Sequence, residues 1–198
     1  MTTIGFIRHG STEWNRLGKL QGQLDTDLTD EGRHQARLLG LRLAKEQEQW
    51  DGIISSDLKR ASETGQIISK LSHIPLLRMD VRLRERKYGL VEGTTVSERE
   101  ERWGADWKLQ ELGQETDREL WARWTELETE ILSMYPGKKV LLISHGGFIV
   151  QVLRELQLNQ EVFLQNTSLT LLSREKNQWN LKLYNCLSHL ETTTEALI

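Results

Sequence analysis

Two short apolar runs constrain this chain more than any other feature. Ile4-Gly5-Phe6-Ile7 and Val140-Leu141-Leu142-Ile143 each give way, after one polar residue, to a histidine and a glycine. Short apolar runs bounded by polar turns have the length of buried strands. Such strands belong in a mostly parallel sheet covered by helices on both faces. In open sheets of that kind, ligands bind just beyond the carboxyl ends of the strands. Arg8, His9 and Gly10 would stand there after the first run, and Ser144, His145, Gly146 and Gly147 after the other. A third run, Ile53-Ile54, passes through Ser55, Ser56 and Asp57 into a helical stretch with Arg60 one turn in. If these three strands are parallel neighbours, two histidines and two arginines converge at one sheet edge. Unpaired cations repel, so the cluster is expected to hold an anion.

The rest of the chain supplies the covering helices. Ala36, Leu39 and Leu43 recur at helical spacing behind Thr29 or Asp30 as a cap. Ser56 or Asp57 is placed to cap a helix from about Leu58 to Leu71, with Ala61, Thr64, Ile67, Ile68 and Leu71 facing inward. Thr95 with Glu98, and Thr116 with Glu119, have the capping-box spacing. The second box opens a helix whose apolar stripe is Leu120, Trp124, Leu127, Ile131 and Tyr135, ended by Pro136-Gly137. Phe148 to Leu156 predicts the helix behind His145. Ile74 to Met79 reads as a strand that Pro75 assigns to a sheet edge. Thr167 to Leu172 and Trp179 to Tyr184 read as a hairpin turning at Glu175 to Gln178. These elements predict an α/β fold, a three-layer α/β/α sandwich with a mostly parallel central sheet. Residues 1–198 are expected to form a single domain with a loosely held tail after Leu190.

Two stretches are less regular. Residues 10–28 carry Asn15, Gly18, Gly22 and Asp25 and read as a long loop forming one wall of the site. Trp103 and Trp107 lie in a segment without clean periodicity and read as local packing, or as a roof over a ligand.

A net charge of −3 argues against a nucleic-acid partner, which usually selects a basic excess. No apolar run approaches the ~20 residues needed to span a bilayer. Cys186 is the sole cysteine, which excludes an intrachain disulfide and fits a reducing compartment. The first strand begins at once, leaving no room for a signal peptide. Cytoplasmic localisation is therefore expected.

The residue types at the sheet edge suit one chemistry. Arginine presents a rigid fork of donors to phosphate or carboxylate. Histidine is a nucleophile or proton carrier near neutral pH, and Gly10 lets backbone approach a ligand closely. Arg60 sits where a helix dipole disfavours a cation, a penalty that a nearby anion would reverse.

Arg8-His9-Gly10, Asn15, Leu58-Lys59-Arg60-Ala61, Leu83-Arg84-Glu85 and Ser144-His145-Gly146, in that order, resemble the histidine phosphatase superfamily, also called phosphoglycerate mutase-like. The resemblance implies that fold and a phosphatase acting on small phosphate monoesters through a phosphohistidine on His9. Arg8, Arg60 and His145 would surround the phosphoryl oxygens. Glu85, singled out by the resemblance alone, would be the general acid, ahead of Glu13 and Glu92. Gly10, Asn15, Gln21, Gly22 and Gly146 are expected to bind the substrate, a small phosphorylated metabolite. No cofactor and no metal are expected, the positive charge coming from the arginines and His145. A zinc site on His9, His145 and Glu85 is the alternative.

Glu85-Arg86-Lys87-Tyr88-Gly89 is similar to the mutase segment whose arginine and tyrosine hold the substrate. Other positions point to the phosphatase branch. Val96 stands where mutases carry a substrate-contacting lysine, and Gly147 where they carry an asparagine. Their adjacent arginine pair has no counterpart around Trp103 to Trp107. A cofactor-dependent phosphoglycerate mutase and an inactive phospho-ligand binder remain the alternatives.

Overall fold

The computed structural model describes residues 1–47, 49–158, 160 and 162–191, so the expected loose tail lies, from residue 192 on, outside the described residues. In chain order the elements are β1 (Thr2–Arg8), α1 (Glu13–Arg16), α2 (Asp30–Lys45), β2 (Gly52–Ser55), α3 (Lys59–Ser72), β3 (Leu76–Met79), α4 (Val96–Trp103), α5 (Asp117–Met134), β4 (Lys139–Ser144), α6 (Gly146–Glu155), β5 (Leu169–Glu175), β6 (Gln178–Cys186) and α7 (Ser188–Glu191). The sheet order is β3-β2-β4-β1-β5-β6. From β3 to β1 neighbours run parallel, and β5 and β6 add an antiparallel hairpin. β3 is an edge strand, as Pro75 requires.

Alternation along the strands sorts the core into two halves, because side chains two apart share a face. Ile4, Phe6, Ile54, Val140 and Leu142 pack with Trp124, Leu127 and Ile131 of α5 and Phe148 and Val152 of α6. Ile7, Ile53, Leu141 and Ile143 point the other way, onto Leu39 and Leu43 of α2 and Ala61 and Ile68 of α3. Helices thus cover both faces. Among the described residues, no helix is long and apolar enough to cross a membrane.

Register decides where the reactive residues stand. Ile143 pairs with Ile7 on one side and Ser55 on the other, and Arg8 pairs with Ser144. The three strands therefore end flush. The ladder continues one step further, His9 N donating to Ser144 O and Ser56 N to Ile143 O, each at 2.9 Å. His9, His145 and Ser56 leave the sheet side by side.

Several local readings shift. Thr29 caps α2, and both capping boxes form. The cap of α3 does not: its N-cap is Leu58, with no side-chain cap bond. Asp57 is drawn instead to Arg84, at 2.7 Å, and Asp25 from the long loop accepts from Lys59 N at 2.9 Å. β5 starts at Leu169 rather than Thr167, since Thr167 adopts a positive φ of 57° and turns its amide back onto Arg8 O. α6 begins at Gly146, two residues early, directly behind His145. The 10–28 loop contains the short α1, closed by a capping box of Thr12 with Asn15.

Candidate active site

His9 is 2% exposed at the end of β1. Its Nδ1 lies 2.7 Å from Gly10 O, an oxygen that can only accept, so Nδ1 carries the hydrogen and Nε2 keeps its lone pair. Burial, then Arg60 and Arg8, hold its pKa well below the usual imidazole value. His9 is therefore a neutral base at neutral pH. Gly10 itself donates to Thr64 Oγ1 at 3.0 Å, and a Cβ there would fall 2.5 Å from Gly32 O. The glycine lets α2 close against the back of His9; its amide is spent on α3 rather than offered to a ligand. Asn166 Nδ2 holds His9 O at 2.8 Å.

Beside His9 stand two side chains with unspent nitrogens. Arg8 gives Nη1 to Leu164 O at 2.6 Å, while its Nε is buried without a partner. His145 is fully buried, its ring centroid 5.1 Å from that of His9. Its Nε2 lies 2.8 Å from Ser56 Oγ, which also accepts from Leu58 N, and the tautomer of the ring decides which of the two donates. Its Nδ1 is buried and unpartnered. Burial and the neighbouring Arg60 also keep His145 well below the usual imidazole value. The positive charge expected from His145 is thus absent; the arginines supply it. Burial pulls Arg8 and Arg60 down to about 10, which leaves both protonated at neutral pH.

Arg60 corrects the reading of its helix position. Its Nε reaches His9 Nε2 at 3.3 Å, but Nη1 and Nη2 donate to Leu24 O and Gly22 O at 2.8 and 2.7 Å. Loop carbonyls, with Asp25 at the helix start, supply the negative end that the dipole argument left to a ligand. Arg60 fastens the 10–28 loop over the site. Asn15 Oδ1 accepts from Thr12 N and Asn166 Nδ2, leaving its own amide group to the cavity. Gln21 Oε1 is held by Thr12 Oγ1 and Thr26 Oγ1.

Glu85 sits at the amino end of α6. Its Oε1 accepts from Phe148 N and Arg86 N, each at 2.8 Å, and its Oε2 from Gly147 N at 3.0 Å. A Cβ on Gly147 would lie 2.5 Å from Tyr88 Oη and 2.7 Å from Glu85 Oε1. The glycine is the space in which carboxylate and phenol meet. Of the rival carboxylates, Glu13 pairs with Arg16 on the surface, and Glu92 Oε1 is spent on Gln23 N and Tyr88 N. Among the described residues, no three His, Cys, Asp or Glu side chains are placed to hold a metal ion.

Arg8, His9, Asn15, Gln21, Gly22, Arg60, Glu85 and Gly146 line one cavity of about 440 Å³. Gly10 turns its amide onto Thr64, and the fully buried His145 adjoins the cavity through His9, their ring centroids 5.1 Å apart. Trp14, Lys19, Tyr88, Arg99, Val150 and Phe163 also line the cavity; Trp14 and Lys19 belong to the loop expected to form a wall, Tyr88 belongs to the mutase-like segment, and Arg99, Val150 and Phe163 were not expected there. Phe163 lies over the Arg8 guanidinium, 4.9 Å from ring centroid to carbon. Trp103 and Trp107 do not line the cavity. Trp107 backs it, with the guanidinium of Arg99 5.0 Å from its ring.

The profile of the histidine phosphatase superfamily (branch 1) matches residues 4–187. The uncharacterized phosphatase PhoE of Bacillus subtilis is 35% identical, over 96% of this chain and 97% of its own. A probable phosphoglycerate mutase GpmB of Serratia proteamaculans is 32% identical, over 90% and 88%. The solved structure of Bacillus stearothermophilus YhfR superposes with a TM-score of 0.86 at 26% identity, covering 96% of this chain and all of that one.

Proposed function

The chain belongs to the histidine phosphatase superfamily, and from that premise we propose that it is a metal-independent phosphatase of small phosphate monoesters, working through a phosphohistidine on His9. His9 Nε2 attacks phosphorus and the ester P–O bond breaks. The leaving oxygen takes the proton of Glu85. Water then attacks the phosphohistidine, its proton returning to Glu85, and inorganic phosphate leaves a neutral His9. Through both steps Nδ1–H stays on Gly10 O. Arg8 Nε, Arg60 Nε, His145 Nδ1 and the Asn15 amide donate to the phosphoryl oxygens. Such preorganised donors are each typically worth ~2.7–4 kcal/mol of barrier.

One observation supports this most. Two nitrogens, Arg8 Nε and His145 Nδ1, are buried without partners beside the neutral ring of His9, and the Nδ1–H tautomer of His145 is part of this reading. Leaving such groups unsatisfied is costly, and a phosphoryl group supplies acceptors for both.

The mutase reading has a relative's name behind it, but less of the geometry. Arg86 is turned away onto Asp117, and Val96 is 56% exposed. An asparagine at position 147 would collide with Glu85 and Tyr88 unless both moved. Phosphate release from p-nitrophenyl phosphate and a panel of phosphorylated metabolites, with trapping of an acid-labile phosphoenzyme, tests the proposal. Phosphate on Ser11 or Ser144 would refute the nucleophile, and isomerisation faster than hydrolysis would favour the mutase.

A further inference from the structure

Arg99 and Lys19 line the same cavity but have no part in the reaction just described. Arg99, from α4, is 6% exposed and spends only Nη1, on Thr94 O at 2.6 Å and Thr94 Oγ1 at 3.4 Å. Its Nε is buried without a partner, and among the described residues no carboxylate pairs with it. Glu98, its neighbour, is committed to its own helix start, accepting from Thr95 N at 2.7 Å. The guanidinium carbon lies over the Trp107 ring, 5.0 Å from its centroid. The carbonyl that holds Arg99 also places Lys19: Thr94 O accepts from Leu20 N at 3.0 Å, and Leu20 O from Gly93 N at 2.7 Å. Lys19 rests over the Trp14 ring, 5.9 Å from its centroid.

A buried guanidinium without an ion-pair contact is costly to keep; Glu100 and Glu98 act on Arg99 only through space, and Thr94 O holds it in the wall of a cavity already built for an anion elsewhere. We propose that Arg99 and Lys19 form a second subsite, for a carboxylate on the carbon skeleton of the ester. The planar, pre-set donor fork of arginine matches a carboxylate's two oxygens. A cavity of this size holds a small ligand whose two ends reach different walls. The substrates are then phosphate monoesters of small hydroxy acids rather than of neutral alcohols or sugars. This inference rests on the phosphatase reading for the ester, but not for the carboxylate contact itself.

The test uses two near-isosteric esters, 3-phosphoglycerate and glycerol 3-phosphate, which differ in a carboxylate against a hydroxymethyl group. The wild-type chain should prefer 3-phosphoglycerate at least about tenfold in kcat/KM, of the order a charged hydrogen bond provides. Arg99→Gln should collapse that ratio toward one, and Arg99→Lys should keep part of it. Lys19→Gln should lower the ratio less, the ammonium being partly solvated. Calorimetric binding of both esters to the same variants separates the two ideas. A chain that hydrolyses neither ester yet binds 3-phosphoglycerate through Arg99 keeps the subsite and loses the phosphatase reading. Equal use and equal binding of both esters by the wild type, or an Arg99→Gln loss equal for both, overturns the subsite.

Discussion

The inner end of the cavity and its outer wall are built on different terms. At the inner end, β1, β2 and β4 end flush, and His9, Arg60 and His145 are at most 2% exposed. Each side chain there is fixed by bonds that cross more than 35 residues of sequence, such as Arg60 to the Gly22 carbonyl. The outer wall comes from the 10–28 loop, α4 and the segment before β5. There Phe163 is 65% exposed, and Lys19 and Trp14 are only half-buried. The difference separates two tasks. Transfer of a phosphoryl group demands fixed donors, since electrostatic stabilisation works without reorganisation. Choice of ester can be left to a wall that changes without disturbing the sheet.

The largest effects should come from the inner end. His9→Ala is expected to abolish phosphoenzyme formation and turnover while the circular dichroism spectrum stays native; residual turnover with a phosphoenzyme mapped elsewhere would break the division. Glu85→Gln comes next and links both regions, because it acts on the leaving group. Alkyl esters, whose departing oxygen is strongly basic, should slow by ~10²–10⁴-fold in single-turnover phosphoenzyme formation. p-Nitrophenyl phosphate, whose oxygen can leave unprotonated, should slow far less. The substituted amide also turns N–H groups toward Gly147 N, so the substrate ratio, not the absolute rate, is the readout. Equal slowing of both esters would remove Glu85 as the acid.

Arg60→Ala should lower kcat by ~10²–10³-fold, as for other preorganised donors. It should also destabilise the ligand-free protein by about 2 kcal/mol or more, because Gly22 O and Leu24 O lose their donor. Urea unfolding without phosphate measures this. Unchanged stability would mean the loop is held by its other contacts, among them Gln23 with Glu92 and Leu20 with Thr94.

The same division governs how much was legible in the sequence. Strand ends, helix faces and the His-Gly pairs are written in local periodicity, so the sheet edge could be read. Arg60 could be seen to need a negative partner, but not that Gly22 and Leu24 would supply it, since a loop carbonyl leaves no trace in composition. Asp57 looked like a cap until Arg84, 27 residues on, claimed it. Arg99 was hidden in Ser97-Glu98-Arg99-Glu100-Glu101-Arg102, a run that reads as a solvated helix face. Only packing against Trp107 and the Thr94 carbonyl turns it inward. Lys19 was covered only by the expectation that residues 10–28 form a wall, and Phe163 carried no signal, because loop side chains reach the cavity through tertiary contacts alone.

The smallest expected effect concerns acid. His9 and His145 are held neutral by burial and by the arginines, so their folded pKa values lie below the ~6.5 of an unfolded chain. Below that pH the unfolded state binds protons that the native state refuses, and stability must fall as pH falls. Full stability from this source is present above about 6.5, and each histidine withdraws its share as the pH falls below that value. His189, lowered to about 4 by burial, adds a similar slope away from the cavity. His145→Gln should therefore flatten the pH dependence of urea stability by one histidine's share. Arg99→Gln, in the outer wall, should leave that slope where it is. If Arg99→Gln flattens it as much as His145→Gln does, the acid sensitivity is shared by the whole cavity, and the two ends are not built on separate terms.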